Sequence, residues 1–108
     1  MSQTGTDIQT LTLNGRTITR ADGALRLADG TLAGADLDMI DAVNFMVDTI
    51  GLDFDEVLHM ASLYPAAAMG IEATYGTLQR GAVGSFAHLS DDRQVEATWI
   101  DGVEVFHA

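Results

Sequence analysis

The chain has 108 residues, of which 47% are hydrophobic and 19% charged, a globular composition sufficient for one modest core. Sixteen acidic residues face five basic ones, all arginine, for a formal charge of −11; this argues against nucleic-acid and anionic-membrane partners, which need clustered cations. With no cysteine there is neither a disulfide framework nor a cysteine-based zinc site.

Met1 to Asp7 is small and polar and reads as loop, without the basic start and apolar segment of a secretory signal. No apolar run approaches the roughly 20 residues of a membrane helix. A cytoplasmic protein organised as a single domain over residues 1–108 is therefore expected. Leu11 and Leu13 alternate with Thr10 and Thr12 as in a half-buried strand. Asn14-Gly15 suits a type I′ turn, Arg16 to Arg20 is the return strand, and Asp22-Gly23 leads to a third strand, Ala24 to Leu27. These predict a small β-meander.

Asp29-Gly-Thr-Leu-Ala-Gly-Ala-Asp-Leu-Asp-Met39 follows, with Gly30 and Gly34 bracketing Leu32-Ala33 ahead of a helix. So little side-chain cover lets backbone pass close to another group, although an ordinary strand-to-helix turn has the same appearance. Asp38 is placed to cap the helix, with Met39, Val43, Met46, Val47 and Ile50 at helical spacing and Gly51 as its stop. A second helix opens on the capping-box pattern Asp53-Phe-Asp-Glu56 and carries the stripe Phe54, Val57, Leu58 and Ala61. Together they predict a helical hairpin. Pro65 suits the first turn of a third, short helix over Ala66 to Met69, which Gly70 ends.

The tail returns to strands: Ser85 to Leu89, then Gln94 to Ile100 and Val103 to Phe106 around Asp101-Gly102. Strands, helices and strands in that order give an α+β class.

Catalytic groups are harder to find. His59, His88 and His107 fall in separate elements and form no metal-clipping pair. Asp36, Asp38, Asp41 and Asp48 suggest either a carboxylate site or a solvated face, and the capping position of Asp38 favours the second. Ser62 and Ser85 lack an evident partner base, and Asp91-Asp92 has no calcium-loop pattern around it. Alternation places Trp99, Phe86, Phe106 and Tyr75 in core or interface more readily than in a ligand surface.

The run Leu58-His-Met-Ala-Ser-Leu-Tyr-Pro-Ala-Ala-Ala-Met-Gly-Ile71 resembles the closing helix of amidohydrolase-superfamily enzymes. Gly76-Thr-Leu-Gln-Arg-Gly81 and Thr98-Trp-Ile-Asp-Gly102 match segments that follow it in those proteins. Adding Asn14-Gly-Arg-Thr-Ile18, Asp22-Gly23, Gly30-Thr-Leu-Ala-Gly-Ala35 and Met39, the chain is similar over nearly its whole length to the N-acetylglucosamine-6-phosphate deacetylase family. Two segments depart from the superfamily pattern: Gly81-Ala-Val-Gly-Ser-Phe86 in place of Gly-Lys-x-Ala-Asp-Leu, and Ala67 in place of an arginine.

The resemblance implies a metal-dependent (β/α)8 barrel with a small β-domain, removing the acetyl group of the sugar phosphate to give glucosamine 6-phosphate and acetate. This chain would correspond to the end of the barrel and part of the small β-domain, without the barrel. It also implies that Leu32, Ala33 and Gly34 line the sugar-phosphate pocket. The divalent metal, such as zinc, would be bound by residues absent here. The catalytic Asp, in a Thr-Asp-Ala segment, would fall just ahead of Met1. No catalytic residue or cofactor is then expected in this chain. N-acetylglucosamine 6-phosphate would bind only in the context of a full barrel, and the expected partner is a second copy or a separate barrel chain.

Overall fold

The computed structural model describes residues 5–108; the reading of Met1 to Thr4 as loop lies outside the described residues. The architecture is α+β, with a four-stranded antiparallel sheet, a helical segment and a three-stranded antiparallel sheet. Two compact units divide the chain, one ending at Asp41 and the other running from Ala42 to Ala108.

The first unit is the meander β1 (Thr10–Leu13), β2 (Arg16–Ala21), β3 (Ala24–Leu27) and β4 (Leu32–Ala35), each strand paired with the next. Asn14-Gly15 and Asp22-Gly23 hold positive φ at both positions (51° and 74° in each pair), the backbone twist that two-residue hairpins require. The register sets Leu11 opposite Ile18 and Ile18 opposite Leu27. Leu11, Leu13, Ile18, Leu25 and Leu27 therefore share one face, whose centre, Ile18 and Leu25, is buried. The other face carries the cross-strand pairs Thr10–Thr19 and Thr12–Thr17, β-branched partners suited to a wet sheet surface.

Arg20 lies on the apolar face, opposite Leu25. Its Nε sits 3.0 Å from Asp36 Oδ1, and Nη1 donates to the Thr6 carbonyl at 2.6 Å.

The stretch from Asp29 to Asp38, expected as a loop, contains the fourth strand. Its turn is built first: Asp29 Oδ1 accepts the Thr31 amide at 3.0 Å, and Gly30 takes φ 84°. Leu27 N–H then donates to Thr31 O at 2.8 Å, and the chain is carried back along β3. Leu32-Ala-Gly-Ala35 thus becomes a strand through pairing with β3, without β propensity of its own.

Helix α1 (Met39–Phe45) is capped as predicted, the Asp41 amide donating to Asp38 Oδ1 at 2.9 Å. It does not continue as one α-helix. Met46–Ile50 widens into a π-helical turn, ended by Gly51 at φ 83°. Helix α2 (Phe54–Ala61) has Asp53 at its N-cap position, but that side chain makes no capping bond. Helix α3 (Leu63–Ala68) starts earlier than expected, with Pro65 inside its first turn, where the missing N–H goes unneeded. Gly70 follows at φ 73°.

The closing sheet is β5 (Phe86–Leu89), β6 (Val95–Ile100) and β7 (Val103–His107), with Asp101-Gly102 turning at φ 50° and 77°. Phe86 is registered opposite Trp99 and stacks on it, ring centroids 4.7 Å apart. Val43, Val57, Ala66 and Ala97 are the buried apolar residues of the second unit. No barrel closes among the described residues.

Candidate functional site

The residues singled out in the sequence, Leu32, Ala33 and Gly34, lie together on β4, the last strand in its sheet's order. They do not form one wall. Leu32 is registered with Arg26 and Gly34 with Leu25, so Ala33 is an extra residue on β4, a β-bulge. Leu32 consequently belongs to the threonine-bearing face and Gly34 to the apolar face.

Ala33 borders a shallow concavity of about 440 Å³ on the apolar face, together with Leu13, Asn14, Arg16, Ile18 and Leu27. Sequence reasoning missed those five as neighbours of the triplet. Only the strand register, fixed by the two Asx-Gly turns, brings them together.

Two features of the triplet are not explained by the unit's own packing. Leu32 is 62% exposed, and Arg26 opposite it is turned to the Gly30 carbonyl at 3.1 Å. Gly34 does not have a left-handed φ, and a Cβ added there would meet only Leu25 Cδ1, at an ordinary 3.9 Å. Glycine at 34 is therefore dispensable to this sheet.

The acidic residues that sequence left between a site and a solvated face are divided by the structure. Asp38 caps α1 and Asp36 pairs with Arg20. Asp48 is 2.6 Å from Arg93 Nη2 while its side chain stays 58% exposed. A second concavity, of about 300 Å³, is bordered by Asp7, Asp36, Asp38 and Asp41 around Arg20.

The serines have structural duties. Ser62 Oγ lies 2.9 Å from Leu58 O and 3.0 Å from Gly76 O, and Ser85 Oγ accepts the Asp101 amide at 3.0 Å.

Each histidine faces a glutamate: His59 Nδ1 lies 4.0 Å from Glu56, His88 Nδ1 3.3 Å from Glu96 and His107 Nδ1 3.2 Å from Glu104. Among the described residues no three His, Cys, Asp or Glu side chains converge as metal donors. The described residues therefore assemble no donor set that fits the divalent metal the resemblance implies, and no chemical step is derived through one. Nor is any helix among the described residues long and apolar enough to cross a membrane.

An α+β architecture made of a meander ending in a Leu-Ala-Gly edge strand, then a Tyr-Pro helix and a closing sheet, defines a class rather than a reaction. The sequence profile of the amidohydrolase family matches residues 4–105, and the chain belongs to that family.

Within it, the chain is similar to N-acetylhexosamine-6-phosphate deacetylases. Human N-acetylglucosamine-6-phosphate deacetylase is 38% identical over 66 residues, covering 61% of this chain and 16% of the human protein. N-acetylgalactosamine-6-phosphate deacetylase of Escherichia coli O157:H7 is 35% identical over 91 residues, 84% of this chain and 24% of that protein. The crystal structure of N-acetylglucosamine-6-phosphate deacetylase from Pasteurella multocida superposes with a TM-score of 0.80 at 31% identity, over 92% of this chain and 26% of that one. The chain thus spans between 16% and 26% of the length of these three relatives.

Proposed function

We propose that this chain serves in the hydrolysis of N-acetylglucosamine 6-phosphate to glucosamine 6-phosphate and acetate, as one part of a cytoplasmic deacetylase. In this reading it corresponds to the end of the barrel chain and part of the small β-domain. Leu32, Ala33 and Gly34 offer the sugar phosphate an edge of backbone and one apolar side chain.

One observation carries the reading: an edge strand presents a leucine that its own sheet leaves exposed beside a glycine that its own sheet does not need. Such positions serve a group from outside the unit, and a glycine in particular permits close approach of backbone to a ligand.

The division of labour follows from what these residues can do. Edge-strand amides and carbonyls hydrogen-bond sugar hydroxyls, and Leu32 packs on the apolar face of the ring. Amide hydrolysis further needs an activated water and an acid for the leaving amine, and the described residues bring no set of metal donors together to activate the water. The chain alone is therefore expected to be inactive. An acetate-release assay with added zinc tests this: turnover above the blank would overturn the division of labour. Turnover that appears only when a barrel chain is added would support it. Running both the gluco and the galacto substrate assigns the epimer.

The assembly reading, a second copy or a separate barrel chain as partner, rests on the closing sheet. Ile100, Val103 and Phe106 are all exposed, and β7 is the last strand of its sheet. An apolar edge of this kind favours pairing. Light scattering across micromolar concentrations, with and without a barrel chain, distinguishes these; a strictly monomeric chain that ignores the barrel would count against both.

A further inference from the structure

We propose that the chain pairs with a second copy of itself through the open edge of β7, the two strands antiparallel, with Glu104 opposite the partner's His107 and His107 opposite the partner's Glu104. The inference rests on the assembly reading given above, commits it to a second copy and gives it a register.

Strand β7 carries a bulge. Phe106 is registered with Thr98 and Glu104 with Trp99, so Val105 is an extra residue between two consecutive partners on β6. Glu104 and His107 oppose Trp99 and Ala97, which lie two apart on one face of β6. The carboxylate and the imidazole therefore share a face although they are three apart in sequence, with His107 Nδ1 3.2 Å from Glu104 Oε1. Val103 and Phe106, opposite Ile100 and Thr98, belong to the other face.

The backbone follows the same pattern. Opposed residues of an antiparallel ladder alternate between bonded and unbonded pairs. The two-residue Asp101-Gly102 turn makes Ile100 and Val103 a bonded pair, which leaves Glu104 unbonded to β6. At the far end the Ala108 N–H donates to Glu96 O at 2.7 Å, which leaves His107 unbonded to β6 likewise. Since β7 is the last strand of its sheet, Glu104 and His107 turn their N–H and C=O groups to the free edge.

A strand that meets its own copy about a two-fold axis normal to the sheet then has three registers. Glu104 can face the partner's Glu104, His107 the partner's His107, or each the other. The first sets carboxylate against carboxylate, in a chain of net charge −11 whose copies already repel. Each of the first two aligns a single pair of outward-turned residues. The mixed register aligns two, each exchanging both N–H···O bonds, and lays an imidazole donor beside a carboxylate acceptor in both. Between them Val105 and Phe106, exposed in the single chain, meet the partner's Phe106 and Val105. Both strands carry the same extra residue, so the bulges stay in step. The edge is complementary to itself, and the pairing closes without leaving a β7 edge for a third copy.

Sedimentation velocity of the 108-residue chain, from micromolar to millimolar concentration, tests the proposal with Glu104→Lys, His107→Glu and an equimolar mixture of the two. Both positions are exposed, and thermal melts check that each variant stays folded. One strand per copy makes a small interface, so the parent dimer should be weak and concentration-dependent. Hydrogen exchange at the Glu104 and His107 amides should slow as it forms. Glu104→Lys sets lysine beside histidine in its own dimer, and His107→Glu sets two glutamates together, so each alone should dimerise about tenfold or more weakly. The mixture should regain the parental affinity, because the introduced lysine then faces the introduced glutamate while the native pair is kept on the other side of the axis.

A dimer untouched by either variant would overturn the register and leave the assembly reading standing on another surface. Loss in one variant alone would assign a like-with-like register and overturn this one. Loss in both without recovery on mixing would overturn it as well. A parent that stays monomeric throughout would overturn the second copy itself and leave a separate barrel chain as the partner.

Discussion

Gly76 runs backbone to backbone against Leu63: a Cβ built on Gly76 would stand 2.9 Å from Leu63 Cα and 3.0 Å from Ala66 Cβ. Its φ of 96° adds a second obstacle to any side chain. The close approach ties the Gly-x-Leu-x-x-Gly segment to the start of α3, where Ser62 Oγ reaches both Leu58 O and Gly76 O. Gly76→Ala is therefore expected to cost about 2–4 kcal/mol, overpacking against backbone plus a left-handed φ. Gly81→Ala, at φ 91° with nothing within 4 Å, should cost about 1–2 kcal/mol. Urea denaturation of both variants checks the order; equal losses would mean that the contact with Leu63 is not the constraint.

Arg93 joins the β5–β6 turn to the helical segment. Its guanidinium meets Asp48 at 2.6 Å, its carbonyl accepts Asn44 Nδ2 at 3.3 Å, and its Cζ stands 6.0 Å from the Phe54 ring centroid. The ion pair is partly wet, at 26% and 58% side-chain exposure, so Arg93→Ala should lose only about 1 kcal/mol. That loss should shrink in high salt, where screening already weakens the parent. Because Arg93 itself sits at φ 59°, Arg93→Gly should lose less than Arg93→Ala. Denaturation at two ionic strengths reads both effects, and a salt-independent loss would point away from Asp48.

How much of this was legible in the sequence depended on whether a signal was local. Asn14-Gly15, Asp22-Gly23 and Asp101-Gly102 announced their hairpins because few residue pairs tolerate two positive φ angles. Asp38 announced α1 because its carboxylate bonds the amide three residues on. Strand β4 was illegible: Leu32-Ala-Gly-Ala35 has no β-branched or aromatic residue, and it is extended only because β3 lies beside it. The π-helical turn at Met46–Ile50 was hidden because apolar residues at 39, 43, 46, 47 and 50 suit either helix type. At the candidate site the triplet could be named from its resemblance, but the bulge at Ala33 that puts Leu32 and Gly34 on different faces is a property of pairing. The nearness of Arg16 to Ala33 is a property of register and was equally invisible.

Tyr64 carries a pH dependence of stability at the alkaline end. Its hydroxyl donates to Glu56 Oε1 at 2.7 Å, and this bond, with smaller contributions from desolvation and the Glu56 charge, raises the phenol above its ordinary 10.0. The neutral phenol is the form that holds the bond. The stabilisation is thus fully present below the unfolded value and is lost as pH rises through the higher folded one. Ultraviolet titration should show a phenol ionising above 10.0 that disappears in Tyr64→Phe and moves down in Glu56→Gln. An unchanged titration in Glu56→Gln would remove the carboxylate as the cause.

Asp29 acts at the acid end. The Thr31 hydroxyl and then the Thr31 amide hold its carboxyl below the ordinary 3.8. A depressed carboxylate stabilises the fold above the unfolded value and ceases to do so as pH falls through the folded one. Asp29→Ala should therefore be less stable than the parent near neutrality, and the two should converge as pH drops below 3.8. Melting curves across that range read it, and a gap that stays constant into acid would assign the effect to the turn's shape instead of its charge.

Gly34 and Gly76 should separate stability from function. A Cβ on Gly34 makes only an ordinary contact with Leu25 and meets no left-handed φ. Gly34→Ala should thus leave the unfolding midpoint unchanged or raise stability by a few tenths of a kcal/mol, as alanine restricts the unfolded chain. If β4 is the edge of a sugar pocket, the same methyl stands where a ligand must approach backbone, and binding or assembled activity should fall about tenfold. Leu32→Ala should behave alike: its side chain is 62% exposed, so little folded-state packing is lost, while contact with a ring is lost entirely. Thermal melts paired with sugar-phosphate titrations make the comparison. Stable variants that bind like the parent would return Leu32 and Gly34 to the status of an ordinary sheet edge.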